Sequence, residues 1–124
     1  MAVIKLKDNR VKFDFQNDKG EVVETIYFDK SDDNVGRFME KYKEIQKMQV
    51  DGADDYNIDK VKEEIKGYMN DIFGDGAFEK LYAINPSVLI VSTYFLEMAT
   101  QIQEEIRKEQ ESEVVDKYLR FAKK

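Results

Sequence analysis

Carboxylates are the chemical groups that cluster most densely in this sequence. Residues 51–79 contain nine of them against three lysines, and this segment alone accounts for the net charge of −6. Calcium binding is the chemistry that such a cluster suggests, because Ca²⁺ takes oxygen ligands at fixed loop positions. The spacing does not fit, since a loop beginning at Asp71 has Phe73 at its third position and Tyr82 in place of the final Glu. We therefore predict no metal site and interpret the acidic segment as a solvated face that also supplies charges to helix N-termini.

Groups for nucleophilic catalysis and proton transfer are scarce. The chain has no cysteine and no histidine, which excludes thiol catalysis, zinc sites built from these residues, and the side chain best suited to proton transfer near neutral pH. The glycines Gly74 and Gly76 do not form a phosphate-binding loop, because the strand and the lysine of that motif are missing. We predict that the protein is not an enzyme and uses no cofactor.

The charge distribution also argues against nucleic-acid binding. Residues 1–50 and 101–124 each carry equal numbers of acids and bases, so no basic face compensates for the acidic segment. A helix-turn-helix would place the acidic segment itself on the DNA. The most apolar run, residues 88–99, is shorter than the roughly 20 residues that span a bilayer. No charged-then-apolar leader opens the chain, and we expect neither a nucleic-acid nor a membrane partner.

The spacing of apolar residues, which predicts the secondary structure, changes at Ser31. Before it, apolar residues alternate with polar ones, as in Val11, Phe13 and Phe15, and this period of two predicts β-strands. Turn sequences at residues 8–10 and 17–20 separate three such runs. We predict an antiparallel β-meander over residues 1–29, with the hairpin at 11–29.

After Ser31 the apolar residues follow a helical period. The predicted helices cover residues 32–49, 57–73, 77–84 and 86–122, with a break allowed near 110–113. Ser31 and Asn57 stand where N-caps are expected, and Asn85-Pro86 has the sequence of a helix start. The whole chain, residues 1–124, is predicted to be one α+β domain in which the β-meander or hairpin packs against about four helices and the last helix is long.

The turn between the second and third helices is formed by Gly74, Asp75 and Gly76. Glycine permits the positive φ that a sharp helix–helix turn needs, so we predict φ > 0 at Gly74 or Gly76. The prediction for the core is a cluster of apolar residues around this turn: Phe73, Phe78, Leu81, Tyr82, Val88, Val91 and Phe95.

The start of the last helix is apolar on nearly every side. Such a helix is either the central helix of the core or divided between the core and a protein interface. Neighbouring residues on a helix diverge by about 100°, so Leu89 and Ile90 cannot both face the core that Val91 and Phe95 face. Our candidate partner-binding residues lie on this helix and on its continuation: Leu89, Ile90, Tyr94, Ile102, Ile106, Val115, Tyr118 and Leu119.

The order of these elements resembles that of the tail assembly chaperones of long-tailed bacteriophages. In that family a helix commonly ends in an Ile/Val-Phe/Leu-Gly-acidic-Gly-small segment, which is matched here by Ile72 to Ala77. A short turn with a lysine and an aromatic residue follows in the family, and the matching positions here are Lys80, Leu81 and Tyr82. The chain departs from the family at Ala83-Ile84-Asn85, where members often have a further glycine.

This resemblance implies a protein of the host bacterial cytoplasm that binds the tape measure protein, keeps it soluble and supports tail-tube assembly. Apolar surface left over on residues 86–124 predicts self-association or binding of a helical partner, and we expect a homo-oligomer. The alternative is another small phage structural or protein-binding protein, such as a tail or head–tail component. A regulator or an enzyme has less support in the sequence.

Overall fold

The structure is a computed structural model, and it describes residues 2–51 and 57–110, without the side chains of residues 48–51. Two antiparallel strands lead into four helices, which confirms the predicted α+β class with a long last helix. The elements are β1 (Arg10–Gln16), β2 (Val22–Asp29), α1 (Asp32–Asp51), α2 (Ile58–Phe73), α3 (Ala77–Ile84) and α4 (Val88–Gln110).

The two strands form the predicted hairpin. Arg10 lies opposite Asp29 and Phe13 lies opposite Ile26, and the register shifts between Phe15 and Gln16. The connecting turn is closed by the Asn17 side chain, whose oxygen accepts hydrogen bonds from the main-chain N–H groups two and four residues later, each at 3.0 Å. This is the local bonding for which asparagine is favoured in turns.

The predicted first strand of the meander does not form: within the described part of the chain, residues 2–9 contain no strand. The reason lies at Asn9, whose carbonyl oxygen accepts a hydrogen bond of 2.6 Å from the main-chain N–H of Lys30. The chain at Asn9 therefore still runs beside the end of β2, at the position where the prediction required it to reverse. Residues 2–7 consequently extend away from the sheet.

Helix starts follow the predicted caps in two cases and differ in one. The Ser31 and Asn57 side chains accept hydrogen bonds from main-chain N–H groups three residues later, at 3.4 and 3.1 Å. The prediction that α4 begins at Asn85-Pro86 is wrong by two residues. Asn85 instead ends α3 by donating its N–H to Leu81 O at 2.9 Å, and the Ser87 hydroxyl accepts from Ile90 N–H at 3.3 Å.

The core lies between the inner face of the hairpin and the helices. Its main cluster includes four of the residues predicted to surround the turn, and Phe73 and Tyr82 pack against it while partly buried. Val88 is buried but lies outside that cluster. Ring contacts connect the elements, with Phe73 near Phe95 at 6.4 Å between centroids. Full burial of a phenylalanine side chain contributes about 1.5–3 kcal/mol, so these rings dominate the packing.

Helix α4 runs along the hairpin from one end to the other. Near the hairpin turn, Phe15 meets Tyr94 with ring centroids 5.7 Å apart. At the other end of the hairpin, Lys30 Nζ lies 2.5 Å from Glu109 Oε1. The predicted continuation to residue 122, with its break near 110–113, lies outside the described residues, as do Val115, Tyr118 and Leu119.

Candidate protein-binding surface

The Gly74–Gly76 turn sets the position of α3. Gly74 has φ 101° and Gly76 has φ 91°, which confirms the prediction of positive φ, here at both glycines. The Gly74 N–H donates to Asn70 O at 3.0 Å. The Asn70 side chain then accepts a hydrogen bond of 3.2 Å from the Phe78 N–H, so one residue at the end of α2 also caps the start of α3.

Asn70 is not among the residues predicted from the sequence. A polar residue four positions before a helix-ending glycine is the signal that could have indicated it. Asp75 is exposed in the turn. This bonding holds the start of α3 against the end of α2. The last residue of α3, Ile84, is 43% exposed to solvent.

Ile84 lies at one side of a groove that we call the hairpin groove. The groove has a volume of about 560 Å³ and is lined by the hairpin turn, the end of α3 and the start of α4: Phe15, Gln16, Asn17, Asp18, Val23, Leu81, Ile84, Asn85 and Tyr94. Five of these nine residues are aliphatic or aromatic. The groove is therefore a largely apolar concavity in a strongly charged chain.

Tyr94 forms a fixed wall of the hairpin groove. Its ring contacts Phe15 edge-on, and its hydroxyl accepts a hydrogen bond of 2.8 Å from the Asn85 amide. The structure therefore places this predicted partner-binding residue in a half-buried position. The ring is therefore only partly available to another molecule.

The solvent side of α4 forms a second surface, the α4 face, defined here as Leu89, Ile90, Thr93, Leu96 and Thr100. Leu89 is 63% exposed and Ile90 is 42% exposed. The other three residues, with Glu97 and Gln101, line a shallow depression of about 390 Å³. Glu97 is the only charged residue between positions 88 and 103.

The threonines make the α4 face more apolar than its sequence implies. Thr93 donates its hydroxyl to Leu89 O at 3.0 Å, and Thr100 donates its hydroxyl to Leu96 O at 2.8 Å. Both hydroxyl protons are thus used within the helix, a common arrangement for threonine inside helices. The face accordingly offers methyl groups and aliphatic side chains to a partner.

Two of the predicted partner-binding residues belong to the core. Ile102 is fully buried and Ile106 is 7% exposed, and both are members of the main cluster. They lie seven and eleven positions after Phe95, which is about two and three helical turns, so they share its inward side. In this fold they are not available to a partner, and we correct the prediction for them.

Neither a metal-binding cluster nor a membrane-spanning helix is found among the described residues. Residues 2–51 and 57–110 contain no group of three or more potential metal ligands. None of the helices that the structure describes is long and apolar enough to cross a membrane.

The side chains with a shifted pKa described here lie outside the hairpin groove and the α4 face. A main-chain hydrogen bond from Arg10 lowers the pKa of Asp8, and a hydrogen bond from Arg107 lowers the pKa of Glu104. Burial, followed by the nearby Glu44, raises the pKa of Tyr68. None of these groups lines the hairpin groove or the α4 face.

Comparisons with family models, curated proteins and solved structures find no match for this chain.

Proposed function

We propose that this protein is a non-enzymatic tail assembly chaperone of a long-tailed bacteriophage, which binds the tape measure protein in the host bacterial cytoplasm. The observation that carries the proposal is the α4 face. In a chain of which 37% is charged, one exposed helix side has Leu89, Ile90 and two hydrogen-bonded threonines, and Glu97 is the only charged residue between positions 88 and 103. Exposed apolar surfaces framed by polar residues are typical of protein-interaction sites.

The shape of the α4 face suits a helical client. Leu89, Thr93, Leu96 and Thr100 follow one another at spacings of four, three and four residues, which aligns them along one side of α4. An amphipathic helix recognises such a stripe through anchors at the same spacings. The tape measure protein is long and helical in the family that this chain resembles, so it offers many segments of that kind.

The test is co-expression with the candidate tape measure protein. The double variant Leu89→Asp/Ile90→Asp is expected to reduce the amount of soluble client that co-purifies. Removing a central anchor typically costs on the order of 2 kcal/mol, or roughly thirtyfold in affinity. Both side chains are exposed, so the thermal midpoint of the variant should stay close to that of the unmodified protein.

The matched control is Val22→Asp/Ile58→Asp, which introduces the same two negative charges at residues that are 52% and 59% exposed and lie outside the α4 face. This variant should leave client solubility unchanged. Equal loss of client in the control and the α4 variant would show that added charge alone is responsible. Unchanged client binding in the α4 variant would refute the assignment of the α4 face.

The sequence also predicts client binding by Val115 and Leu119, which lie outside the described residues. The double variant Val115→Asp/Leu119→Asp is still expected to weaken client binding without unfolding the domain. Measuring it beside the α4 variant would distinguish the two ends of the C-terminal region as binding segments.

A further inference from the structure

The N-terminal arm, defined as residues 2–7, is the most exposed apolar segment that the structure describes. Val3, Ile4 and Leu6 are 81%, 89% and 97% exposed. Within the described part of the chain, no hydrogen bond holds residues 2–7. Aliphatic side chains exposed to this degree gain stability from any apolar surface that covers them.

The arm cannot be covered by its own sheet. The hydrogen bond from Lys30 N–H to Asn9 O directs the chain away from the hairpin, as described above. A third strand in the same molecule would need a reversal at the residues that this bond holds in line with β2.

The hairpin groove of the same molecule is also out of reach. Leu6 lies three residues before Asn9, so its Cα atom is at most about 11 Å from that of Asn9. The groove is at the opposite end of the hairpin, beyond Phe15, and β1 alone extends about 20 Å at a rise of ~3.4 Å per residue. Ile4 and Leu6 therefore cannot enter this groove together in their own chain.

We propose that the N-terminal arm inserts into the hairpin groove of a second copy of this chain. In an extended conformation Ile4 and Leu6 lie on one side of the arm, while Lys5 and Lys7 lie on the other. The aliphatic pair meets the apolar wall of the groove, which includes Val23 and Ile84.

Charge supports a second copy as the occupant. The arm carries Lys5 and Lys7 and no acid. The groove contains Asp18 and no basic residue among those that line it. A lysine on the outer side of the docked arm can therefore approach a carboxylate at the groove edge, and complementary charges of this kind favour the correct register of two surfaces.

The positions of arm and groove limit the types of assembly. They lie at opposite ends of the hairpin, so two antiparallel copies can exchange arms in a two-fold dimer, or each copy can donate its arm to the next in a head-to-tail contact. Head-to-tail contacts either close into a ring or continue as an open chain. A six-residue arm buries less area than the roughly 1,200–2,000 Å² of a stable interface, so assembly should grow with protein concentration.

The first test is light scattering with size exclusion over rising concentration. The full chain should form species larger than a monomer, and Ile4→Ser/Leu6→Ser should weaken this association at least about tenfold. The control is Val3→Ser, which removes an aliphatic side chain that is 81% exposed from the lysine side of the arm and should keep the association. A chain that stays monomeric up to about 1 mM, or an oligomer that persists unchanged in Ile4→Ser/Leu6→Ser, would overturn the proposal.

The second test separates arm from groove by mixing. A variant without residues 2–7 keeps the groove, and Val23→Asp/Ile84→Asp keeps the arm. Each should be monomeric alone, and together they should form a one-to-one complex through the single intact contact. Circular dichroism establishes that both are folded, and absence of a complex between two folded variants would refute the pairing. No client protein takes part, so failure here leaves the proposed chaperone function to its own test.

Discussion

Replacing either glycine of the turn by alanine is expected to destabilise the protein through backbone strain alone. A β-carbon on Gly74 or Gly76 would meet no atom within 4 Å among the described residues, so steric overlap with neighbours contributes nothing. The two backbones nevertheless differ. Gly76 is left-handed, with φ 91° and ψ −5°, whereas Gly74 has φ 101° and ψ 160°, a region that is essentially restricted to glycine.

This difference gives the expected magnitudes. Gly76→Ala should lower the free energy of unfolding by about 1–2 kcal/mol, the usual cost of the left-handed conformation. Gly74→Ala should cost more, up to about 3 kcal/mol. Gly76→Asn should recover part of the loss, because asparagine tolerates left-handed backbone, while Gly74→Asn should not. A β-branched residue such as valine at Gly76 should cost at least as much as alanine.

The assay is equilibrium urea denaturation followed by circular dichroism, with Gly36→Ala as the control. Gly36 lies inside α1, has open space where a β-carbon would project and has no positive φ. Its replacement should raise the free energy of unfolding by roughly 0.5–1 kcal/mol. Equal costs at Gly74 and Gly76, or no cost at either, would refute the backbone argument.

Three further predictions concern the rest of the fold. Asn70→Ala should reduce the free energy of unfolding by about 1 kcal/mol in the same assay, because the first turn of α3 loses its side-chain acceptor, and Asn70→Asp should retain most of it. Phe95→Ala should cost about 3–5 kcal/mol, whereas Leu89→Ala, on the exposed side of the same helix, should cost little. Because the pKa of Tyr68 is raised by burial and by Glu44, its contribution to stability is complete below the unfolded pKa near 10 and is lost as pH rises through the folded pKa. Denaturation between pH 9 and 11 should therefore show a decline that Tyr68→Phe reduces, and an identical decline in that variant would contradict the assignment.

Local signals predicted the parts of this fold that depend on neighbouring residues. The hairpin follows from alternation and from Asn17, whose side chain closes the turn. The positive φ of Gly74 and Gly76 follows from glycine in a short helix–helix connection. In each case the residues that determine the structure lie within a few positions of one another, and the sequence alone is then informative.

Errors arose where a contact between distant segments decides the outcome. The hydrogen bond between Asn9 and Lys30 joins residues 21 positions apart and prevents the third strand. The assignment of Ile102 and Ile106 to a partner was a different error, because helical spacing alone places both on the side of Phe95, which was predicted for the core. The hairpin groove combines residues from four elements, namely β1, β2, α3 and α4, and no local pattern contains it.

The arrangement of α4 along the hairpin has a consequence for the order of folding. The contact between Lys30 and Glu109 joins residues 79 positions apart, whereas the hairpin needs only its own residues 10–29. Hairpins form within microseconds, but contacts of high sequence separation form slowly. On the ribosome, Phe28 can pack early against Phe38 of α1 and Phe73 of α2, but the part of the hairpin that α4 covers, beginning at Phe15, must wait until α4 has been synthesised. Ribosomes that pause before residue 88 should hold a nascent chain with exposed phenylalanines, a substrate for the host's own chaperones.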